Sequence, residues 1–186
     1  MTSPAAPGQL LVAAPDLTDP NFSDTVVLIL DVDDDGALGV VLNRPSDVPV
    51  AEVLPSWRGL TSEPDVLFRG GPVSLDGALA VGILADRHDV PVGFRQIADE
   101  LGLIDLDTPT ELAAGAVEGM RVYAGYAGWG AGQLEGEIAR GDWYVVPATA
   151  ADVTRADVSR LRDEVLRRQP GELAWSANRP VDPEMN

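Results

Sequence analysis

Residues 125–138 hold the densest set of side chains and glycines that could bind a ligand or do chemistry. Five of these residues are glycine, and the segment also carries Trp129, Gln133 and two glutamates. It follows an apolar run and leads into a helical pattern, where backbone N–H groups and the helix dipole can hold a phosphate or a carboxylate. The dinucleotide-binding motif G-x-G-x-x-G is absent. Its third glycine would fall at Glu135 if the motif began at Gly130, and at Gln133 if it began at Gly128.

The same segment also fits a purely structural role. With Gly130 as the helix N-cap, Gln133 lies at the third helical position and can reach back to the cap amide. Trp129 and Leu134 then occupy the two positions of a hydrophobic staple, and Gly141 ends the helix. A cap does not require five glycines, so their density also predicts close approach of the backbone to another strand or to a ligand.

Two glutamates of this segment offer acid-base chemistry. Glu135 and Glu137 are two residues apart on the predicted helix, so they point to different sides and need a carboxylate from elsewhere to act as a pair. A carboxylate-dependent hydrolase, with a divalent ion held by one of them and a distant Asp, is therefore an alternative function. It predicts that two carboxylates converge in a pocket.

Two further strand ends are rich in glycine and proline. Asn43-Arg44-Pro45 ends a predicted strand, and Pro45 holds Arg44 extended, so its guanidinium can pair with an Asp or receive a carboxylate or phosphate. Gly70-Gly71-Pro72 predicts a tight turn or amides exposed to a ligand. We therefore predict one ligand-binding surface from the three segments, formed by Asn43, Arg44, Gly70, Gly71, Pro72, Trp129, Gly130, Gly132, Gln133 and Glu137.

Residues 31–36 fit the first half of an EF-hand calcium loop. The twelfth position, where a bidentate Glu belongs, is Leu42, and both flanks have strand patterns. An acidic hairpin turn around Asp35-Gly36 accounts for the same residues, so no metal site is assigned. The single histidine, His88, lies among charged residues and is predicted to be a loop residue.

Missing residue types exclude several reaction classes. The 186 residues contain no Lys and no Cys, and all 13 basic residues are Arg. The chain therefore has no P-loop lysine, Schiff-base lysine, thiol nucleophile or cysteine metal site. We predict no catalytic residue and no cofactor.

The charge distribution limits the possible partners. The net charge is −17, of which −16 lies in residues 1–150, and this opposes nucleic acids and anionic membranes. The Arg-dense residues 155–168 are interleaved with Asp and Glu, which favours a salt-bridged helix face. No positive flank precedes the apolar residues 9–14, so a signal peptide is not predicted and the cytoplasm is the expected compartment.

Short apolar runs bounded by Gly, Pro and Asp predict seven strands, at residues 9–14, 25–31, 38–43, 66–69, 78–84, 120–126 and 143–146. Several runs are continuous rather than alternating, as expected for strands covered on both faces. Helices are predicted over residues 94–101, from a capping box at Thr108 to Gly119, and over residues 157–169. The tail after Gln169 is predicted to lie across the surface, held by Trp175.

Four sequence blocks closely resemble, in order and spacing, the signatures of the YqgE/AlgH family over about residues 8–150. The blocks are residues 8–13 with 19–22, 39–45, 70–73 and 125–137. The resemblance implies a bacterial cytoplasmic α+β protein, with mixed β-sheets curled into a pseudo-barrel and peripheral helices. A single domain is expected over residues 8–169, between a flexible N-terminus, residues 1–7, and a C-terminal tail, residues 170–186.

The resemblance does not imply a reaction, because the family has no established enzymatic activity. One branch is described as a transcriptional regulator of exopolysaccharide synthesis, yet this chain has no helix-turn-helix pattern and its charge opposes DNA. We therefore expect a non-catalytic regulatory or binding domain that contacts a protein or a small ligand. The carboxylate-dependent hydrolase and the transcriptional regulator are the alternatives, and direct nucleic-acid or membrane binding is not expected.

Overall fold

The structure is a computed structural model that describes residues 5–177. Its strands are β1 (Gln9–Ala13), β2 (Val26–Asp33), β3 (Gly36–Val41), β4 (Pro45–Pro49), β5 (Val66–Arg69), β6 (Val73–Leu84), β7 (Phe94–Ala98), β8 (Leu101–Ile104), β9 (Val117–Gly130) and β10 (Trp143–Pro147). Its helices are α1 (Val50–Val53), α2 (Thr110–Ala114), α3 (Gln133–Arg140), α4 (Ala150–Thr154), α5 (Leu161–Arg167) and α6 (Leu173–Ser176), and a 3₁₀ turn spans Pro55–Trp57. All seven predicted strands are present, and β4, β7 and β8 are additional.

The strands form one mixed sheet in the order β10-β1-β2-β3-β9-β6-β8-β7, which β4 and β5 extend through a parallel pairing of β5 with β9. The sheet curls until β7 approaches the beginning of β1 and the end of β2. A Cβ added to Gly8 would lie 2.4 Å from the Ala98 Cβ, and Arg95 lies 4.0 Å from Asp31. The predicted α+β fold, a curled mixed sheet with peripheral helices in a single domain, is confirmed.

β1 and β2 are buried on both faces. Leu10 and Val12 of β1 pack in the main core cluster with residues of β9 and α5. Leu11 and Ala13, which point to the opposite face, pack in a second cluster with Trp129 and Leu134. Because neither face meets solvent, the strand is apolar without alternation. The prediction of strands covered on both faces is confirmed.

The predicted helix over residues 94–101 is wrong, because this stretch forms the hairpin of β7 and β8. β8 pairs with β6, and the ring of Phe94 covers a glycine on each of these strands. A Cβ added to Gly82 or Gly102 would lie 3.3 Å or 2.2 Å from that ring. Pairing of β8 with the edge of β6, and packing of the Phe94 ring over the two glycines, outweigh the local helical pattern of residues 94–101.

The predicted capping box at Thr108 does not form. Pro109 is the N-cap without a side-chain hydrogen bond, and α2 ends at Ala114 rather than at Gly119. β9 begins at Val117 and runs for 14 residues, so it takes over the last part of the predicted helix. Pairing with β6 along most of that length accounts for the difference.

The C-terminal segment contains two helices before residue 170 rather than one. α5 lies within the predicted range, and α4 precedes it with a capping box between Thr149 and Asp152. Trp175 is 82% exposed, so the prediction that it holds the tail is wrong. The predicted N-terminus and tail extend outside the described residues, at positions 1–4 and 178–186. No helix within residues 5–177 combines the length and the apolar character needed to cross a bilayer.

Candidate ligand-binding site

Asn43 fastens the end of β3 to the beginning of β2. Its Oδ1 accepts a hydrogen bond from the Val26 amide at 3.0 Å, and its Nδ2 donates to the Asp24 carbonyl at 2.9 Å. Both ends of the side-chain amide are therefore bound to backbone groups. Asn43, which is predicted to bind a ligand, therefore holds the chain at the end of β3, next to Arg44.

The neighbouring guanidinium of Arg44 is held by three backbone carbonyls. Its Nη1 donates to the Asn21 carbonyl at 2.7 Å, and its Nη2 donates to Pro20 at 3.0 Å and to Ser23 at 3.1 Å. These contacts fix the loop of residues 19–24 and the orientation of the guanidinium. Within the described residues, no carboxylate lies within 4.0 Å of this cation to neutralise it.

Gly70 and Gly71 carry the chain closely between β3 and β9. The Gly70 amide donates to the Ala124 carbonyl and the Gly70 carbonyl accepts from Val41, both at 2.8 Å. A Cβ added to Gly71 would lie 2.2 Å from the carbonyl of Tyr126. The close backbone approach predicted from the five glycines of residues 125–138 occurs at Gly125, where an added Cβ would lie 2.7 Å from the Gly71 carbonyl. At the other four glycines an added Cβ would meet nothing closer than 3.5 Å, so the prediction is wrong there.

A pocket of about 350 Å³ opens where β3 and β5 end. The Arg69 amide donates to the Arg44 carbonyl at 2.8 Å, so the backbones of the two arginines lie side by side, and both residues line the pocket. Arg69 is exposed, and no hydrogen bond or ion pair engages its side chain among the described residues. We call this site the arginine pocket, and its lining residues are Asn21, Val41, Arg44, Arg69, Gly71, Pro72 and Leu75.

The other half of the predicted surface is occupied by internal contacts. Oε2 of Glu137 accepts hydrogen bonds from the indole N–H groups of Trp129 at 2.9 Å and Trp143 at 2.8 Å, and its Oε1 accepts from Gln133 at 3.1 Å. The ring of Phe22 stacks on Trp129 at 5.9 Å and meets Trp143 edge-on at 5.7 Å. We call Phe22, Trp129, Trp143 and Glu137 the indole cluster.

The beginning of α3 resembles the predicted cap, shifted by two residues. Gly132, in the left-handed conformation, is the N-cap, and Gln133 is the first helical residue. The predicted contact nevertheless forms, because Oε1 of Gln133 accepts from the Gly130 amide at 3.0 Å. Gly141 ends the helix as predicted. Leu134 and Trp129 share a core cluster, but with Gly132 as the N-cap they do not occupy the two positions of a hydrophobic staple.

A second, smaller pocket of about 200 Å³ lies beside the edge of Trp129. The confirmed hairpin of β2 and β3 forms its wall, with Asp33 paired to Gly36 and accepting from the Asp35 amide at 2.8 Å. Among residues 5–177, no group of three His, Asp or Glu side chains is arranged to hold a metal ion. This pocket is lined by Asp31, Asp33 and Asp35, whereas the arginine pocket is lined by Arg44 and Arg69, so the two pockets differ in the sign of their charge.

Another arginine without a carboxylate partner lies in the core. Arg121 donates from Nη1 to the carbonyls of Val153 and Arg155, at 2.6 and 3.0 Å, and lies 4.2 Å above the ring of Phe68. Burial lowers the pKa of Arg121 and raises the pKa of the buried Tyr123 phenol well above its usual range. No ligand reaches these groups from solvent, because both are fully buried.

Four residues that line the arginine pocket are not among the predicted site residues, namely Asn21, Val41, Arg69 and Leu75. Arg69 was accessible to sequence reasoning, since it is the cation immediately before Gly70-Gly71-Pro72. Asn21 belongs to a family-like block, but its position beside Arg44 depends on hydrogen bonds over more than 20 residues of sequence. No local pattern indicates that Leu75 lies at the mouth of the pocket.

The fold and the pocket together define a class: small α+β proteins with one curled mixed sheet and a concave site where its strands end. This chain belongs to the AlgH-like family, whose model, DUF179, matches residues 10–174. The UPF0301 protein SCO2948 of Streptomyces coelicolor is 52% identical over 182 residues, which cover 96% of this chain and 94% of that protein. The predicted membership of the YqgE/AlgH family is confirmed.

Two solved structures share the fold. The crystal structure of DIP2367 from Corynebacterium diphtheriae superimposes with a TM-score of 0.89 and 36% identity, covering 96% of this chain and 94% of that one. The solution structure of AlgH from Pseudomonas aeruginosa has a TM-score of 0.67 and 27% identity, covering 97% of each chain. These names state no ligand or reaction, so the function has to be argued from the site.

Proposed function

We propose that this protein is a non-catalytic binding or regulatory domain that acts through the arginine pocket. The observation that carries the proposal is that two of the three Gly/Pro-rich segments line one pocket on fixed backbone. Gly71 is pressed against β9, and Arg44 is locked by carbonyls. Loops on a rigid sheet are common binding surfaces, and 350 Å³ is the size of a small-ligand site.

The chemistry of the lining residues supports binding rather than catalysis. The seven lining residues include no acid, no histidine and no nucleophile, and an arginine does not deprotonate in proteins. The hydrolase alternative needs two converging carboxylates. Glu137 is engaged by two indoles and Gln133, while Glu135 is exposed on the same helix. A small ligand is therefore favoured over a substrate that is hydrolysed.

Regulation by direct DNA contact has less support. In the Arg-dense C-terminal segment, Arg155 pairs with Glu164, Arg162 with Asp163, and Arg168 with Asp152. Charges neutralised in this way add little to phosphate binding. The proposal therefore assigns regulation to a protein or small-ligand contact, in the cytoplasm, and fractionation of cells that express the tagged protein tests that compartment.

A pocket-blocking variant tests the proposed site. Leu75 is 62% exposed at the pocket mouth, so Leu75→Trp fills the opening without disturbing the core. Val92→Trp is the matched control, because Val92 is 80% exposed and is not a pocket residue. A metabolite library is screened by ligand-observed NMR against the three proteins.

We expect compounds that bind the wild-type protein and Val92→Trp but not Leu75→Trp, and mass spectrometry should recover them chemically unchanged. The proposal is wrong if no binding is sensitive to Leu75→Trp, or if a bound compound is turned over.

A further inference from the structure

We propose that the arginine pocket binds the oxyanion group of a small organic ligand, a carboxylate or a phosphate, while Pro72 and Leu75 contact its apolar part. This inference rests on the proposed function, which it narrows to one class of ligand. It assigns the charge contacts to Arg69 and Arg44. Three observations carry it: the charge state of the pocket, the arrangement of its donors and the nature of its walls.

The pocket concentrates positive charge that the protein does not neutralise internally. Five other arginines lie within 4.0 Å of a carboxylate, namely Arg95, Arg140, Arg155, Arg162 and Arg168. Within the described residues, Arg44 and Arg69 have no such partner, although the whole chain carries a net charge of −17. Two adjacent cations repel each other at short range, and an anion bound between them relieves that repulsion.

The donors of the pocket are partly fixed in advance. The three carbonyls that hold Arg44 use three of the five N–H donors of its guanidinium and prevent the group from rotating away. The backbone of Arg69 is anchored beside it through the hydrogen bond, and no partner in residues 5–177 engages the Arg69 side chain. An oxyanion that binds both guanidinium groups then has to order only the side chain of Arg69, because Arg44 is already fixed.

The walls indicate that the ligand is larger than a bare inorganic ion. The volume of about 350 Å³ is roughly ten times the space that a water molecule takes in the liquid. Pro72 and Leu75 are exposed apolar residues of the lining, and Asn21 adds an exposed polar residue to it. An acid or phosphate ester with a short apolar body matches this combination.

The test uses three probes of similar shape: phenyl phosphate, benzoate and the neutral benzamide. Binding to the full chain is measured by NMR titration at constant ionic strength, so that general screening is the same throughout. Arg69→Gln removes the free guanidinium. Arg87→Gln, at an exposed loop position outside the pocket, removes the same charge and is the matched control. Arg44 is left intact because it also holds the loop of residues 19–24.

We expect phenyl phosphate or benzoate to bind the wild-type protein at least about tenfold more tightly than benzamide, and the tighter of the two identifies the oxyanion. Arg69→Gln should weaken that probe about tenfold, Arg69→Lys should weaken it less, and Arg87→Gln should leave it unchanged. All three variants should melt at the wild-type temperature.

The inference is overturned if neither phenyl phosphate nor benzoate binds more tightly than benzamide. Equal losses in Arg69→Gln and Arg87→Gln would also overturn it, because they indicate general charge attraction. If no anionic probe binds while neutral compounds bind in a manner sensitive to Leu75→Trp, the oxyanion assignment is wrong and the proposed function stands. If no compound of any charge shows that sensitivity, the proposed function is wrong as well.

Discussion

The arginine pocket and the indole cluster both contact the loop of residues 19–24, yet they satisfy their charged groups in opposite ways. In the indole cluster, the carboxylate of Glu137 accepts three hydrogen bonds from side chains of the same chain. In the pocket, Arg44 is bound by neutral carbonyls, and no hydrogen bond or ion pair from residues 5–177 engages the side chain of Arg69. Both charged groups lie near glycine-rich segments. We interpret such a segment as structural where the protein's own side chains bind the charged group, and as a candidate binding site where the charged group stays accessible to solvent.

Accessibility is the second half of that criterion. Arg121 also has no carboxylate partner in the described part of the chain, but it is fully buried, bound by backbone carbonyls and stacked on Phe68. It stabilises the junction between β9 and α4 without offering a group to a ligand. Arg69 differs from Glu137 and Arg121 because it combines three properties: no charged partner among the described residues, a place in a pocket, and access to solvent.

The largest effect on stability is expected for Gly71→Ala, which adds a methyl group at a residue that lines the arginine pocket. The added Cβ would lie 2.2 Å from the backbone of Tyr126, so β9 has to move. We expect a loss of about 3 kcal/mol in the free energy of unfolding, measured with urea. Gly115→Ala is the control, because its Cβ meets open space and its φ is −97°. If both variants are equally stable, the wall is not rigid.

A smaller loss of about 2 kcal/mol is expected for Glu137→Ala, which leaves two buried indole N–H groups without an acceptor. Glu135→Ala, at an exposed position of the same helix, should change stability by less than about 0.5 kcal/mol. The folded variant should bind ligands of the arginine pocket as the wild type does. Lost binding in a stable Glu137→Ala protein would contradict the separation of the two regions.

The smallest effect at neutral pH is expected for Tyr123→Phe beside Arg121. The Tyr123 hydroxyl is buried and makes no hydrogen bond to the described residues, so its removal should leave stability at pH 7 unchanged or raise it by up to about 1 kcal/mol.

The pH dependence follows from the raised pKa of the folded phenol. The unfolded chain ionises first, so the wild type loses stability as the pH rises above about 10. Unfolding curves at pH 7 and 11 should show a smaller alkaline loss for Tyr123→Phe. An identical alkaline loss would show that Tyr123 does not carry this dependence.

Sequence reasoning was most accurate where local physics decides the structure. The doubly buried strands β1 and β2, the acidic hairpin, and the glycine that ends α3 follow from residue types over a few positions. It failed at residues 94–101, where the edge of β6 and the two glycines beneath Phe94 select a hairpin. The sequence also predicted one surface where the structure has the arginine pocket and the indole cluster. Residue types alone did not show that Glu137 is hydrogen-bonded to Trp129, Trp143 and Gln133.

The sequence by itself determined the family, the doubly covered strands and the absence of lysine and cysteine chemistry, because these depend on composition and on short-range order. Only the tertiary structure decided which charges remain available. The partners of Arg44 lie more than 20 residues away, and Gly71 meets Tyr126 across an even longer separation. Electrostatic pairing is set by distance in space. The partners of Glu137 lie within eight residues of sequence, whereas the surroundings of Arg69 form only when β5 pairs with β9.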